Sequence, residues 1–306
     1  MKIYIIGAGG IGGYFGGILA NSDCNYDVTF VARGENYKAL KENGLMVKSV
    51  VGDFKVNPVR IINDISEISD PDLIIISVKT YDTETVAKKL ASVVTGKTVI
   101  LTFQNGVDND DQLKKIIKNA EIFPGVAYII TTKIKPGIIA QTGGLRKLIF
   151  GDRNNPRNPR LTEIEKLMKN AGIDGTSSDD ITRDIWKKFM FICPFSGLTA
   201  LHRKTIGEII SAPETRKQYE TCLKETIAVA KALRVNISDN AFDEIMKVSV
   251  DSEPASKSSL LIDIENGRKN EIETLNGTLV KIAAKLSIPV PLNELIYKEI
   301  SKINFS

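Results

Sequence analysis

Gly7, Gly9 and Gly12 of the run Gly7-Ala8-Gly9-Gly10-Ile11-Gly12 have the G-x-G-x-x-G spacing with which a backbone can cradle a dinucleotide pyrophosphate. Gly7 permits a tight turn, Gly9 lets the backbone approach a phosphate, and Gly12 lets a helix pack closely on a strand. With Ala8, Gly10 and Ile11 they open a helix whose free N–H groups and partial positive charge suit phosphate oxygens. The run follows apolar Ile3–Ile6 directly, which separates a binding turn from a merely glycine-rich one. Further on, Phe30-Val31-Ala32-Arg33-Gly34 ends the next apolar run. An NAD site usually carries Asp or Glu there for the ribose hydroxyls. A carboxylate would repel a 2′-phosphate, whereas a guanidinium can bind one with paired hydrogen bonds. Arg33 therefore points to NADPH over NADH, the alternative being a plain surface cation.

The elements that must hold these residues are legible from periodicity. Ile3–Ile6, Val28–Val31, Leu73–Val78 and Thr98–Thr102 are short, apolar and β-branched, as buried parallel strands are. Helical stretches at Gly10–Ala20, Thr83–Val94 and Asp108–Lys118 alternate with them. This βαβ rhythm predicts an α/β fold with a doubly wound, mostly parallel sheet of Rossmann type. Ile122–Thr132, Gly137–Thr142 and Lys147–Phe150 read as further strands, with Pro136-Gly137 as a turn. Leu161–Asn170 reads as a helix and Gly172–Ser177 as one more strand. Beyond Asp180 the pattern is helical, over Ala212–Leu233, Ala241–Val250, Leu275–Lys285 and Pro291–Ile303, with Ser238 and Asn293 as N-caps or first-turn residues. The expected division is a nucleotide-binding domain over 1–178 and an all-α substrate domain over 179–306.

Several spaced motifs then identify a family. They are Val78-Lys79-Thr80, Gln104-Asn105-Gly106, Trp186-Lys187-Lys188-Phe189 with Leu198-Thr199-Ala200-Leu201, Ser258-Ser259-Leu260-Leu261-Ile262-Asp263, and Asn270-Glu271-Ile272-Glu273-Thr274-Leu275-Asn276-Gly277. In this order they resemble the 2-dehydropantoate 2-reductases, or ketopantoate reductases, from the first strand to the last helix. The resemblance implies reduction of 2-dehydropantoate to (R)-pantoate with NADPH, on the route to pantothenate and coenzyme A. It also implies a second domain like the C-terminal domain of 6-phosphogluconate dehydrogenase, and a substrate cleft between the two. By the same resemblance Lys188 is the general acid and Glu271 lines the site beside it. Ser259 contacts substrate, Lys79 and Asn105 lie near the nicotinamide, and Asn105 also reaches the substrate. The chemistry is coherent on its own terms: hydride adds to a carbonyl carbon, an alkoxide develops, and a positioned ammonium stabilises and protonates it. The chain has one histidine, His202, so the commonest acid is scarce. Burial would lower the pKa of Lys188 and an ion pair with Glu271 would raise it; the sequence leaves open which effect is larger.

The match departs from the family where the lysine helix usually carries asparagines four and eight residues after the lysine. Ile192 and Ser196 stand there, and Pro194 interrupts the segment. A wall without those amides discriminates poorly for a substrate hydroxyl. A paralogous reductase of another small 2-keto acid is therefore the rival reading, and a non-catalytic NADPH sensor a third. Net charge is +4, from 41 Lys+Arg and 37 Asp+Glu, which does not argue for nucleic acid. The three cysteines have no ligand-like spacing, so no metal site or disulfide framework is expected, and a reducing, cytoplasmic setting follows. No run approaches the roughly 20 apolar residues of a membrane span. A helical second domain of this kind would support a homodimer.

Overall fold

The computed structural model describes residues 1–303, so the last three residues of the expected second domain lie outside it. The chain divides into two compact units, one comprising Met1–Gln104 and Asp108–Ile181, the other Asn105–Val107 and Thr182 onward.

The first unit runs β1 (Lys2–Ile6), α1 (Gly10–Asn21), β2 (Asp27–Val31), α2 (Gly34–Asn43), β3 (Leu45–Ser49), β4 (Phe54–Val56), β5 (Arg60–Ile62), β6 (Leu73–Ile76), α3 (Thr83–Leu90), β7 (Val99–Thr102), α4 (Asn109–Ile116), β8 (Glu121–Lys135), β9 (Ile138–Phe150), α5 (Pro159–Asn170) and β10 (Asp174–Ser177). Among the described residues these ten strands form one sheet in the order β4-β3-β9-β8-β7-β6-β1-β2-β5, with β10 paired to β9. The run from β8 to β5 is parallel, while β8 with β9 and β3 with β4 are antiparallel. Successive residues of β1 serve opposite cores. Ile3 and Ile5 pack with α1 and α5, whereas Tyr4 and Ile6 pack with α3 and α4. Burial on both faces explains why these strands read as unbroken apolar runs instead of alternating ones.

The second unit contains α6 (Ile181–His202, all but its first residue), α7 (Ile206–Ser211), α8 (Pro213–Ala232), α9 (Ala241–Val250), α10 (Ser259–Glu265), a π-helical turn at Glu273–Gly277, α11 (Thr278–Lys285) and α12 (Pro291–Ser301). Its core joins Met190 and Leu198 of α6 to Tyr219 and Leu223 of α8, Ile245 of α9, Leu260 of α10 and Ile296 of α12.

The expected α/β sheet and helical second half are both present. Details differ. Pro194 does not interrupt α6, which continues through it to His202. An interior proline costs about 3 kcal/mol; here the flanking residues Phe189, Met190, Cys193, Ser196 and Leu198 are all buried, and their packing outweighs it. The three strands expected between 122 and 150 are one long hairpin, β8 and β9, closed by the Pro136-Gly137 turn with Gly137 at φ +74°. Asn240, not Ser238, is the N-cap residue of α9. Asn293 lies in the first turn of α12 with a wholly buried side chain that donates to Glu225. Trp186 is core packing, edge-on to Phe189, and His202 ends α6 against Gln218.

Candidate functional site

The candidate phosphate-binding turn belongs to the first unit. Gly7 leaves β1 at φ +100°, a conformation that side-chain-bearing residues rarely adopt. Its N–H donates to the carbonyl of Val31 at 3.2 Å, and its carbonyl accepts from Ser77 Oγ at 2.8 Å. A methyl at Gly12 would stand 2.1 Å from the Gly7 carbonyl oxygen and 2.2 Å from Ser77 Oγ, so only glycine allows α1 to start this close to the sheet. At Gly9, the N-cap, a methyl would meet nothing within 4 Å. No side chain caps α1 and no acidic residue stands in its first turn. The turn thus has an open approach at Gly9, uncapped helix N–H groups and no competing carboxylate, which fits a pyrophosphate. Asn36 pins it from behind, donating to the Ala8 carbonyl at 3.0 Å and accepting from Gly137 N at 2.9 Å. Asn36 is not legible from sequence alone, because a single Asn in a polar helix has no distinguishing pattern.

In the sheet β1 lies between β2 and β6, so residues leaving those two strands flank the glycine turn. Arg33, beyond β2, is the N-cap residue of α2 and is exposed, with its guanidinium 3.1 Å from Asp82 Oδ2. Lys79, beyond β6, is partly buried and opens a 3-10 turn over Thr80–Asp82. Gln104, buried after β7, donates to Val78 O at 2.9 Å and Thr83 Oγ1 at 2.8 Å, tying these strand ends together.

The second cluster lies in the helical unit, with which the short segment Asn105–Val107 groups. Lys188 Nζ donates to Asn105 Oδ1 at 2.8 Å. Burial lowers the Lys188 ammonium from an ordinary 10.5 to about 8, against the carboxylate of Glu271, which pulls the other way. Glu271 is buried, and its backbone carbonyl accepts from Thr274 N at 3.1 Å and Leu275 N at 3.2 Å as the π-helical turn begins. The approach to Glu271 is fixed by the preceding loop. Asp263 holds Arg268 at 3.0 Å, Gly267 turns at φ +62°, and Asn270 Oδ1 accepts from Ile272 N at 3.0 Å. Lys188, Asn105 and Glu271 are therefore brought together.

Ile192 and Ser196 follow Lys188 at four-residue steps, which sets all three on one face of α6. Ile192 is half-buried and Ser196 buried. Ser259 is exposed at the first position of α10. Its neighbour Ser258 is the cap: it is buried, accepts from Leu261 N at 3.1 Å, and takes a 2.7 Å bond from Thr199 of α6. Among the described residues no group of His, Cys, Asp or Glu could hold a metal ion, and no helix is long and apolar enough to cross a membrane.

Comparison with known proteins gives a consistent result. The model of the family described as Ketopantoate reductase PanE/ApbA matches residues 3–155, and that of its C-terminal part matches residues 180–304. A Bacillus subtilis (strain 168) protein described as an uncharacterized oxidoreductase, YkpB, is 30% identical over 297 residues, covering 97% of each chain. The crystal structure of 2-dehydropantoate 2-reductase from Geobacter metallireducens GS-15 superposes with a TM-score of 0.90 at 30% identity, covering 99% of both chains. A D-mandelate dehydrogenase, solved with NADH and anilino(oxo)acetate, shares the fold with a TM-score of 0.87 at 22% identity, covering 98% of this chain and 97% of that one.

Proposed function

The chain belongs to the ketopantoate reductase PanE/ApbA family of oxidoreductases, which reduce 2-keto acids, and from that premise we propose that it reduces 2-dehydropantoate to (R)-pantoate with NADPH, on the route to pantothenate and coenzyme A. The observation that carries the reading is the Lys188 ammonium, which donates to Asn105 and is brought by burial to about 8. An acid with a pKa close to working pH combines a populated protonated form with a usable driving force for transfer.

When bound, the reduced nicotinamide supplies hydride to the C2 carbonyl carbon. Lys188 Nζ stabilises the charge developing on the carbonyl oxygen and passes its proton to it, giving the hydroxyl. The Asn105 side-chain oxygen accepts from the ammonium and fixes its direction. The Glu271 carboxylate keeps Lys188 charged despite its enclosure. Gly7–Gly12 bind pyrophosphate through backbone N–H groups, Arg33 pairs with the 2′-phosphate, and Lys79 lies near the nicotinamide. Ser259, Ile192 and Ser196 belong to the substrate wall in this reading. A cytoplasmic setting suits the free thiols of Cys24, Cys193 and Cys222, and the helical unit is where a homodimer would form.

Half-buried Ile192, one turn beyond Lys188, favours a second reading: a 2-keto acid without the ketopantoate hydroxyl. Steady-state kinetics with ketopantoate and with 3,3-dimethyl-2-oxobutanoate, the same skeleton lacking that hydroxyl, separates the two. The first reading expects kcat/KM at least about tenfold higher for ketopantoate, the worth of one good hydrogen bond of about 1.4 kcal/mol. Equal values, or a preference for the deoxy acid, select the second.

A further inference from the structure

We propose that Asp82 tunes the preference for a 2′-phosphorylated dinucleotide by competing with that phosphate for the Arg33 guanidinium; the inference rests on the reading of Arg33 as the phosphate partner. Arg33 leaves β2 and Asp82 ends the turn that follows β6, while β1 with its glycine turn lies between those strands in the sheet. Their 3.1 Å ion pair therefore joins the two sides of the nucleotide-binding edge. Among the described residues Asp82 is the one charged partner of Arg33.

A second observation shows that this contact is not incidental to helix capping. Asp82 is the N-cap residue of α3, where a carboxylate ordinarily accepts from the first-turn N–H groups. Its side chain makes no such bond here and is turned to Arg33 instead.

The chemical consequence is an exchange between two anions. A 2′-phosphate can take the guanidinium only by displacing the Asp82 carboxylate or by accepting it as a close like charge, and either lowers the gain. A 2′-hydroxyl meets the opposite situation. The strand end offers it Ala32 in place of the usual acidic residue, and the Asp82 carboxylate is an acceptor it can use. The pair thus narrows the discrimination that Arg33 alone would give.

The test is equilibrium titration of NADP⁺ and NAD⁺ against the intact chain, followed by intrinsic fluorescence at fixed ionic strength, for the wild type, Asp82→Asn, Asp82→Ser, Arg33→Ala and the Arg33→Ala/Asp82→Asn double variant. Exposed ion pairs of this kind correspond to about 1.5- to 5-fold in an equilibrium constant. Both Asp82 variants should tighten NADP⁺ by about two- to fivefold while leaving NAD⁺ unchanged or weaker, and the tightening should vanish in the Arg33→Ala background. An unchanged ratio of the two affinities, an equal shift in both, or tightening that persists without Arg33 overturns the role of Asp82. Arg33→Ala with undiminished NADP⁺ affinity removes the reading of Arg33 itself. Loss of NADP⁺ affinity on Arg33→Ala with no response to Asp82 removes only the present inference.

Discussion

At the scale of the residue, Lys188 is governed by two opposed effects. Enclosure disfavours its charge and Glu271 favours it, with the balance at about 8. A proton donor with that pKa is mostly charged at pH 7, and reduction should slow with a one-proton dependence as pH rises through about 8. Replacing Glu271 with Gln removes the effect that raises the pKa, so the alkaline limb of the kcat/KM profile should move to lower pH; a limb that stays in position would show that Glu271 does not act through the lysine. Lys188→Ala should abolish single-turnover hydride transfer, or slow it at least about a hundredfold, while NADP⁺ still binds. Wild-type turnover of no keto acid at all would favour a sensor. Stability supplies an independent readout. The folded pKa of about 8 lies below the ordinary 10.5, so the cost of burying the ammonium is fully present below pH 8 and disappears as pH climbs to about 10.5. Lys188→Met should therefore melt higher than the wild type at pH 7, with the gap closing between pH 8 and pH 10.5.

Elements were legible in the sequence where burial imposes a strong pattern. The strands β1, β6 and β7 are largely apolar on both faces, β2 carries the apolar residues Val28, Phe30 and Val31, and the glycine run names the turn between the first strand and its helix. The region from α2 to β5 was not legible, because β4 and β5 are three residues each and α2 buries only Leu40. The candidate acid was less legible still: a lysine on a helix reads as solvated, and only the family pattern singled out Lys188. Its partners Asn105 and Glu271 are 83 residues before and, by number, 83 after it, distances over which local spacing carries no information. The turn itself yields a paired prediction. Gly12→Ala drives a methyl to 2.1 Å from the Gly7 carbonyl oxygen and should cost about 1–3 kcal/mol of stability or more, read by denaturant unfolding. Gly9→Ala meets nothing within 4 Å and should fold normally, yet lose at least about tenfold in NADP⁺ affinity, because the methyl occupies the path by which backbone reaches pyrophosphate. Normal NADP⁺ affinity in Gly9→Ala would remove the phosphate assignment while leaving the packing argument for Gly12 intact.

For the whole molecule, the division of labour follows from separate cores. The sheet unit has apolar clusters on both of its faces, and the helical unit has its own around α6, α8 and α12. Gly7–Gly12, Arg33 and Lys79, the residues proposed for the dinucleotide, belong to the first, and Asn105, Lys188 and Glu271 group with the second. A ligand stabilises whatever it binds in the folded form by RT ln(1 + [L]/Kd), which is about 2.7 kcal/mol at a hundredfold excess over Kd. Separate cores allow sub-global opening, in which each unit exchanges its amides on its own free-energy scale. NADP⁺ should therefore slow exchange most in β1, β2 and β6, which meet at the glycine turn, by up to about a hundredfold. The amides inside α8 and α9 should respond far less. The measurement is hydrogen–deuterium exchange with peptide resolution, with and without saturating NADP⁺. Equal protection of α8 and α9 would mean that the two cores open together as one cooperative body. Protection confined to the helical unit would contradict the assignment of the dinucleotide to the glycine turn.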